Sequence, residues 1–396
     1  MHAAPLFLQS LALVFCVAAV TTVLFQRLGQ PVVFGYLLAG MILGPHVPVP
    51  VAVDSSTAQT LSELGVILLM FSLGLEFRLR RVIQMGVTSG LAALAETSIM
   101  LALGYLLAES LGWTPMEAIF AGAVVAFSST TIVAKAFAGR GMSPALTNSV
   151  FGILIIEDLI AIFLLAVLSA VATGSGVTAR GLGMTGIRLV TFLAALIGVG
   201  LLIVPRLMRM VVRVGRPETT LVTSIGICFG AALLALAFGY SVALGAFIAG
   251  TLVAESGEGP GIQRLIEPVR DMFVAIFFVS VGMLIDPHTI VVHWGAVLAF
   301  TLLIIGGKVL AVSIGAFLAG RPLRSAVQTG MSLAQIGEFS FIIAGVGLAA
   351  GTTRPFLFSI AVIVSAITTY TTPLLIGVAQ PVALWIDRRL PRPLQT

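Results

Sequence analysis

FGILIIEDLIAIFLLAVLSAV (residues 151–171) is an apolar run in which Glu157, Asp158 and Ser169 are the only polar side chains. Its length matches that of a helix crossing a hydrocarbon layer. A charge at a bilayer centre costs about 2.5 to 3.5 kcal/mol on insertion scales, so two adjacent carboxylates do not persist there as packing filler. They read as the working part of an ion pathway.

The composition places the run in a membrane. Of the 396 residues 59% are hydrophobic and 9% charged, with a mean hydropathy of +1.14. A soluble domain of this size carries far more charge. Apolar stretches recur along the whole chain and predict thirteen transmembrane helices, hence an all-α integral membrane fold. They cover approximately residues 6–25, 32–43, 58–77, 82–107, 116–137, 146–171, 185–207, 221–238, 242–253, 272–285, 294–318, 326–349 and 356–376, the second, ninth and tenth being short. The first has no basic n-region and no clear small-residue cleavage site, so it reads as a span and not a signal peptide.

Charge placement agrees with that count. Thirteen spans put Arg27, Arg78, Arg80, Arg81, Lys135, Arg140, Arg206, Arg209, Arg213, Arg216, Arg264, Arg270, Arg321, Arg324, Arg388, Arg389 and Arg392 on one side. Only Arg180, Arg188 and Arg354 fall on the other, and Lys308 lies inside a span. The excess of basic residues marks the cytoplasmic side, which predicts an external N-terminus and a cytoplasmic C-terminus. It also accounts for an isoelectric point near 9.8 without nucleic acid. Cys16 and Cys228 sit in apolar spans without ligand-spaced partners, which implies packing and neither redox nor zinc chemistry. The loops are short, so the reading is one polytopic membrane domain over residues 1–396, with no soluble regulatory domain and no cofactor.

An internal repeat is legible in the small residues. FGYLLAGMIL (34–43) and LGAFIAGTLV (244–253) align Gly35, Ala39 and Gly40 with Gly245, Ala249 and Gly250. Ser72 and Gly74 likewise align with Ser280 and Gly282 at a nearly equal offset. Copies seven spans apart enter the membrane from opposite sides, which predicts inverted repeats over approximately 1–172 and 219–385, with a linking helix at 185–213. In that design the substrate site lies near the midplane on interrupted helices. Ser128, Ser129, Thr130 and Thr131 in span five are poor helix formers that bond back to the backbone, and about 207 residues on, span twelve carries Gln335, Gly337 and Glu338. These mark two candidate breaks, whose half-helix ends present partial charges and carbonyls to an ion.

Lys308, in span eleven, is the only basic side chain at predicted membrane depth. A buried ammonium needs a carboxylate, which Glu157 or Asp158 can supply. Adjacent helical positions point about 100° apart, so one acid can face Lys308 and the other the ion path. Two carboxylates and one ammonium leave one negative charge for a cation or a proton to neutralise. Glu96 in span four reads as a packed carboxyl or an outer partner of this cluster.

Four motifs in order, GVILLMFSLGLEF (65–77), the Ser128–Thr131 cluster, IIEDLIAI (155–162) and SLAQIGEFSFI (332–342), resemble the monovalent cation:proton antiporters, in particular the branch with the glutathione-gated (Kef-type) potassium efflux systems. The resemblance implies a sodium/proton antiporter-like fold with two broken crossing helices, spans five and twelve, divided between a dimerisation domain and a mobile core. It assigns cation and proton binding to Asp158, with Glu157 at a position where that family has Asp, Asn or Gln. It further implies alternating exchange of H⁺ for Na⁺ or K⁺ in the inner (plasma) membrane by a homodimer, with no bound metal beyond the transported cation. A regulatory protein on a separate chain stays open. The alternatives from other classes are a passive cation channel and a non-transporting sensor or subunit that keeps the fold.

Overall fold

A computed structural model describes residues 3–28, 31–45, 55–76, 86–137, 142–172, 179–238, 240–283, 285 and 287–389. Arg78, Arg80, Arg81, Arg140 and Arg392 lie outside the described residues, as do the side chains of Thr131 and Lys135. Every regular element among the described residues is helical. In chain order these are α1 (Ala3–Arg27), α2 (Val32–Leu43), α3 (Ser55–Glu76), α4 (Gly86–Ser110), α5 (Pro115–Ala126), α6 (Thr130–Phe137), α7 (Pro144–Ala172) and α8 (Ala179–Arg213). They continue as α9 (Pro217–Ala237), α10 (Val242–Ala254), α11 (Gly259–Met283), α12 (Pro287–Val292), α13 (Trp294–Leu318), α14 (Leu323–Ser332), α15 (Glu338–Ala349) and α16 (Pro355–Arg389). Seven helices among the described residues are long and apolar enough to cross a membrane: Leu8–Arg27, Val87–Ser110, Pro144–Ser169, Thr191–Arg213, Pro217–Ala237, Trp294–Leu318 and Pro355–Arg389. Five shorter apolar helices, among them Val32–Leu43 and Val242–Ala254, accompany them.

The chain divides into two compact units, Met1–Arg81 with Leu165–Ile285, and Val82–Leu164 with Asp286–Thr396. The first unit is built on glycine contacts. An added Cβ on Gly40 of α2 would lie 2.7 Å from the Gly282 Cα of α11 and collide with the Val279 carbonyl. One on Gly74 of α3 would lie 2.9 Å from the Gly250 Cα of α10 and collide with the Phe247 carbonyl. Four of the six glycines that the sequence aligns therefore meet crosswise, Gly40 of α2 on Gly282 of α11 and Gly74 of α3 on Gly250 of α10. Lipid tails are as apolar as leucine, so helices in a bilayer gain little from burying apolar surface and gain instead from close backbone approach. Gly35 against Thr21 and Thr22 of α1, and Gly245 against Ala231 and Ala232 of α9, repeat the device.

The second unit carries all the candidate site residues. Thr114 caps α5 in a reciprocal box with Glu117, and Pro115 occupies a first-turn position whose missing N–H costs nothing. Glu117 also accepts bonds from Arg354 Nε (2.6 Å) and Nη2 (2.9 Å), tying the start of α5 to the residue before α16. That carboxylate holds the Arg354 guanidinium above its ordinary pKa. Gly315 lets α13 lie against Ala92 of α4. Two turns back along α13 and one turn on along α4, Lys308 meets Glu96. Lys308 closes a π-helical segment, Leu303–Lys308, whose wider turn interrupts the regular spacing of α13.

The glycine contacts make a paired expectation for thermal unfolding in detergent. Gly250→Ala drives a methyl into the α3 backbone and should destabilise the protein by about 1–3 kcal/mol. Gly226→Ala meets no atom within 4 Å, and it should be neutral or raise stability by about 0.5–1 kcal/mol through lost unfolded-state freedom. Equal melting temperatures for the two variants would contradict the close-approach account.

Candidate functional site

α5 ends at Ala126 and α6 begins at Thr130, leaving residues 127–129 non-helical. α14 ends at Ser332 and α15 begins at Glu338, leaving 333–337 non-helical. These two segments touch. The Gly337 N–H donates to the Phe127 carbonyl at 3.0 Å, and the Ser128 hydroxyl donates to the Leu333 carbonyl at 3.1 Å. Gln335 Nε2 donates to the Ser129 carbonyl at 3.4 Å. Each segment thus supplies donors and acceptors that the other, lacking helical partners, requires. Gly337 has no substitute here, because a Cβ would lie 2.8 Å from the Ser129 Cα.

A buried ion cluster sits beside this crossing. Lys308 Nζ lies 2.8 Å from Glu96 Oε1 and 3.7 Å from Glu157 Oε2, and donates to the Ser128 hydroxyl at 2.6 Å. The side chains of Lys308, Glu96 and Glu157 all have 0% exposure. The Ser128 N–H donates to Glu157 Oε2 at 2.7 Å, so this carboxylate holds both the ammonium and the end of a helix interruption. Two buried carboxyl groups thus face one ammonium. Glu96 and Glu157 also lie within hydrogen-bonding reach of each other.

Asp158 points elsewhere. It is partly exposed, and its Oδ2 accepts from the Thr130 hydroxyl at 3.3 Å. Glu338, also partly exposed, accepts from the Ser129 hydroxyl at 3.0 Å. The adjacent acids of α7 therefore occupy different environments, a consequence of the 100° step between helical neighbours. On α16, the Ser365 hydroxyl donates to the Ile336 carbonyl at 3.1 Å, an anchor for the second interruption that sequence reading did not single out.

Ser128, Glu157, Lys308 and Glu96 come together in the buried cluster; Ser129 and Thr130 reach the two partly exposed acids, Glu338 and Asp158. Gln335 and Gly337 bridge the interruptions, and the Thr131 side chain is outside the described residues. Glu96 is the nearer carboxylate to Lys308, whereas the sequence offered Glu157 or Asp158 as first partners. The contact is set by the packing of α4 on α13, which no local pattern around Glu96 discloses. The adjacent Gly306 and Gly307 were the available cue to the π segment.

The cluster makes a stability expectation. Lys308→Met leaves Glu96 and Glu157 buried together without a cation and should cost about 3–5 kcal/mol, read as a lower melting temperature in detergent. Adding Glu96→Gln and Glu157→Gln to the same variant should recover much of that loss, because the uncompensated charges are then gone. An unaltered melting temperature for Lys308→Met would rule the ion cluster out as a structural element.

Comparison with known proteins places this geometry in context. Residues 12–377 match the profile of the family described as "Sodium/hydrogen exchanger, transmembrane". The chain is 36% identical over 360 residues to YbaL, a candidate cation/proton antiporter of Escherichia coli (strain K12), covering 88% of this chain and 64% of that one. It is 30% identical to K⁺ efflux antiporter 5 of Arabidopsis thaliana, covering 93% of this chain and 66% of the relative. The chain thus spans about two thirds of the length of these relatives. GerN of Bacillus cereus, named a Na⁺/H⁺-K⁺ antiporter, is 30% identical with 93% and 94% of the two chains covered. The fold is similar to that of the sodium proton antiporter MjNhaP1 of Methanocaldococcus jannaschii, with a TM-score of 0.69 at 17% identity over 96% and 98% of the two chains.

Proposed function

The chain belongs to the sodium/hydrogen exchanger family of transmembrane proteins, and from that premise we propose that it exchanges protons for Na⁺ or K⁺ by alternating access. The observation that carries this reading is the separation of the two α7 acids. Glu157 is buried in a fixed cluster with Lys308 and Glu96, and Asp158 is left partly exposed on the hydroxyls beside a helix interruption. A carboxylate in that position can bind a partly dehydrated cation or a proton, and competition for one charge is the physical core of antiport. The names of the relatives, K⁺ efflux antiporter and Na⁺/H⁺-K⁺ antiporter, support the same class of reaction.

In this reading the chain has thirteen spans, with α5–α6 and α14–α15 as the two broken ones, and its halves form inverted repeats. The crossed glycine pairs support that symmetry. The N-terminus lies outside, the C-terminus in the cytoplasm of a cell with the protein in its inner membrane, and the working form is a homodimer. Asp158 binds the cation with oxygen help from Thr130 and Ser129, and takes up a proton when the cation leaves. Glu157, Glu96 and Lys308 hold the interruption through Ser128 while Asp158 exchanges its load. The unit containing these residues carries the bound ion from one side to the other.

Reconstitution into proteoliposomes tests this directly. An imposed Na⁺ or K⁺ gradient should move protons against their own gradient, which a passive channel never does and a sensor does not do at all. Asp158→Asn should abolish the exchange while leaving the melting temperature near that of the unaltered protein, because Asp158 is outside the buried cluster. Persistent cation-driven pH changes in that variant would remove Asp158 from its assigned role.

A further inference from the structure

Two pairs of carboxylates flank the helix crossing, and they differ in what an ion would meet. Glu96 and Glu157 are wholly buried around Lys308. Asp158 and Glu338 are partly exposed, and each accepts a hydroxyl from one of two consecutive residues, Thr130 and Ser129. One backbone step therefore joins the acid of α7 to the acid of α15. Among the described side chains no lysine, arginine or histidine lies within ion-pair distance of Glu338. Glu338 stands in the first turn of α15, directly after the N-cap Gly337.

A second observation points at a ligand. Gln335 has no solvent exposure, and while its Nε2 donates to the Ser129 carbonyl, its Oε1 has no hydrogen-bond partner. A buried acceptor left without a donor is costly, and a ligand that satisfies it removes that cost. Carboxylate, hydroxyl, amide and carbonyl oxygens grouped around one backbone step form a hard-oxygen set suited to replacing the hydration shell of an alkali cation.

We propose that Glu338 is a second cation-contacting carboxylate, so that a monovalent alkali cation is held between Asp158 and Glu338 with oxygens of Ser129, Thr130 and Gln335. This rests on the reading of Asp158 as the exchange site and adds a ligand from the other interrupted segment. The site then takes one acid from each side of the crossing, and cation affinity depends on both segments keeping their contact.

The test is cation-dependent thermal stabilisation of the purified chain in detergent, titrating NaCl or KCl against choline chloride at constant ionic strength. The unaltered protein should be stabilised in a saturable way by at least one of the two salts. Glu338→Gln should raise the half-saturating cation concentration about tenfold or more, the equivalent of about 1.4 kcal/mol, with its melting temperature in choline little changed. Glu338→Asp should fall between the two. Where Glu338→Gln does not fold, Glu338→Asp and Ser129→Ala replace it and should each weaken saturation. Unshifted half-saturation in Glu338→Gln, or in both replacements, overturns the proposal, as does an unaltered protein that neither cation stabilises. Because this readout is binding, cation stabilisation without proton movement in proteoliposomes would refute exchange while still judging Glu338 by its own titration.

Discussion

A lysine ammonium with no solvent exposure must be matched by carboxylates, and this requirement organises the unit that contains the candidate site. Lys308 of α13 draws Glu96 from α4 and Glu157 from α7. Through the Ser128 hydroxyl the same ammonium reaches the first interruption, and from Ser128 the next bond runs to the Leu333 carbonyl in the second. Three helices and two non-helical segments are thereby tied to one charge. In hydrocarbon an unsatisfied backbone group costs several kcal/mol, so irregular backbone persists only where such partners are built in.

The two compact units solve the packing problem by different means. In the first, the crossed glycine pairs bring α2 onto α11 and α3 onto α10, and dispersion between closely placed backbones replaces the hydrophobic drive that lipid does not provide. In the second, polar contacts dominate near the interruptions, and apolar packing, such as the cluster around Ala92, Ile153, Val312 and Leu333, surrounds them. Close glycine packing tolerates no added atom, whereas a network of polar groups tolerates rearrangement only if every member finds a new partner. A site proposed to hold a cation and a proton in turn fits the second kind of structure.

Much of this was legible in the chain itself. The apolar runs, the lone lysine at depth and the paired acids each follow from the cost of charge in hydrocarbon, which acts residue by residue and leaves a local mark. The poor helix formers Ser128–Thr131 pointed to the neighbourhood of one interruption. In the structure, however, Thr130 and Thr131 already belong to α6, because the helix resumes as soon as Ser129 supplies a first-turn acceptor to the Ile132 N–H. Ser365 was not legible as an anchor, since a serine in an apolar helix usually bonds within its own helix. Its partner at Ile336 comes from another segment.

The sequence by itself determined that charges at membrane depth are few, that Glu157, Asp158 and Lys308 are among them, and that small residues recur at a fixed offset. These properties belong to residue types and their spacing. Only the tertiary structure decided that Glu96 is the nearer partner of Lys308, that Glu157 turns inward and Asp158 toward the hydroxyls, and that Glu338 lies one backbone step from Asp158 through Ser129 and Thr130. Such choices depend on which helix faces which across tens or hundreds of residues, and pairwise electrostatics at a few ångströms is settled by that packing and not by order along the chain.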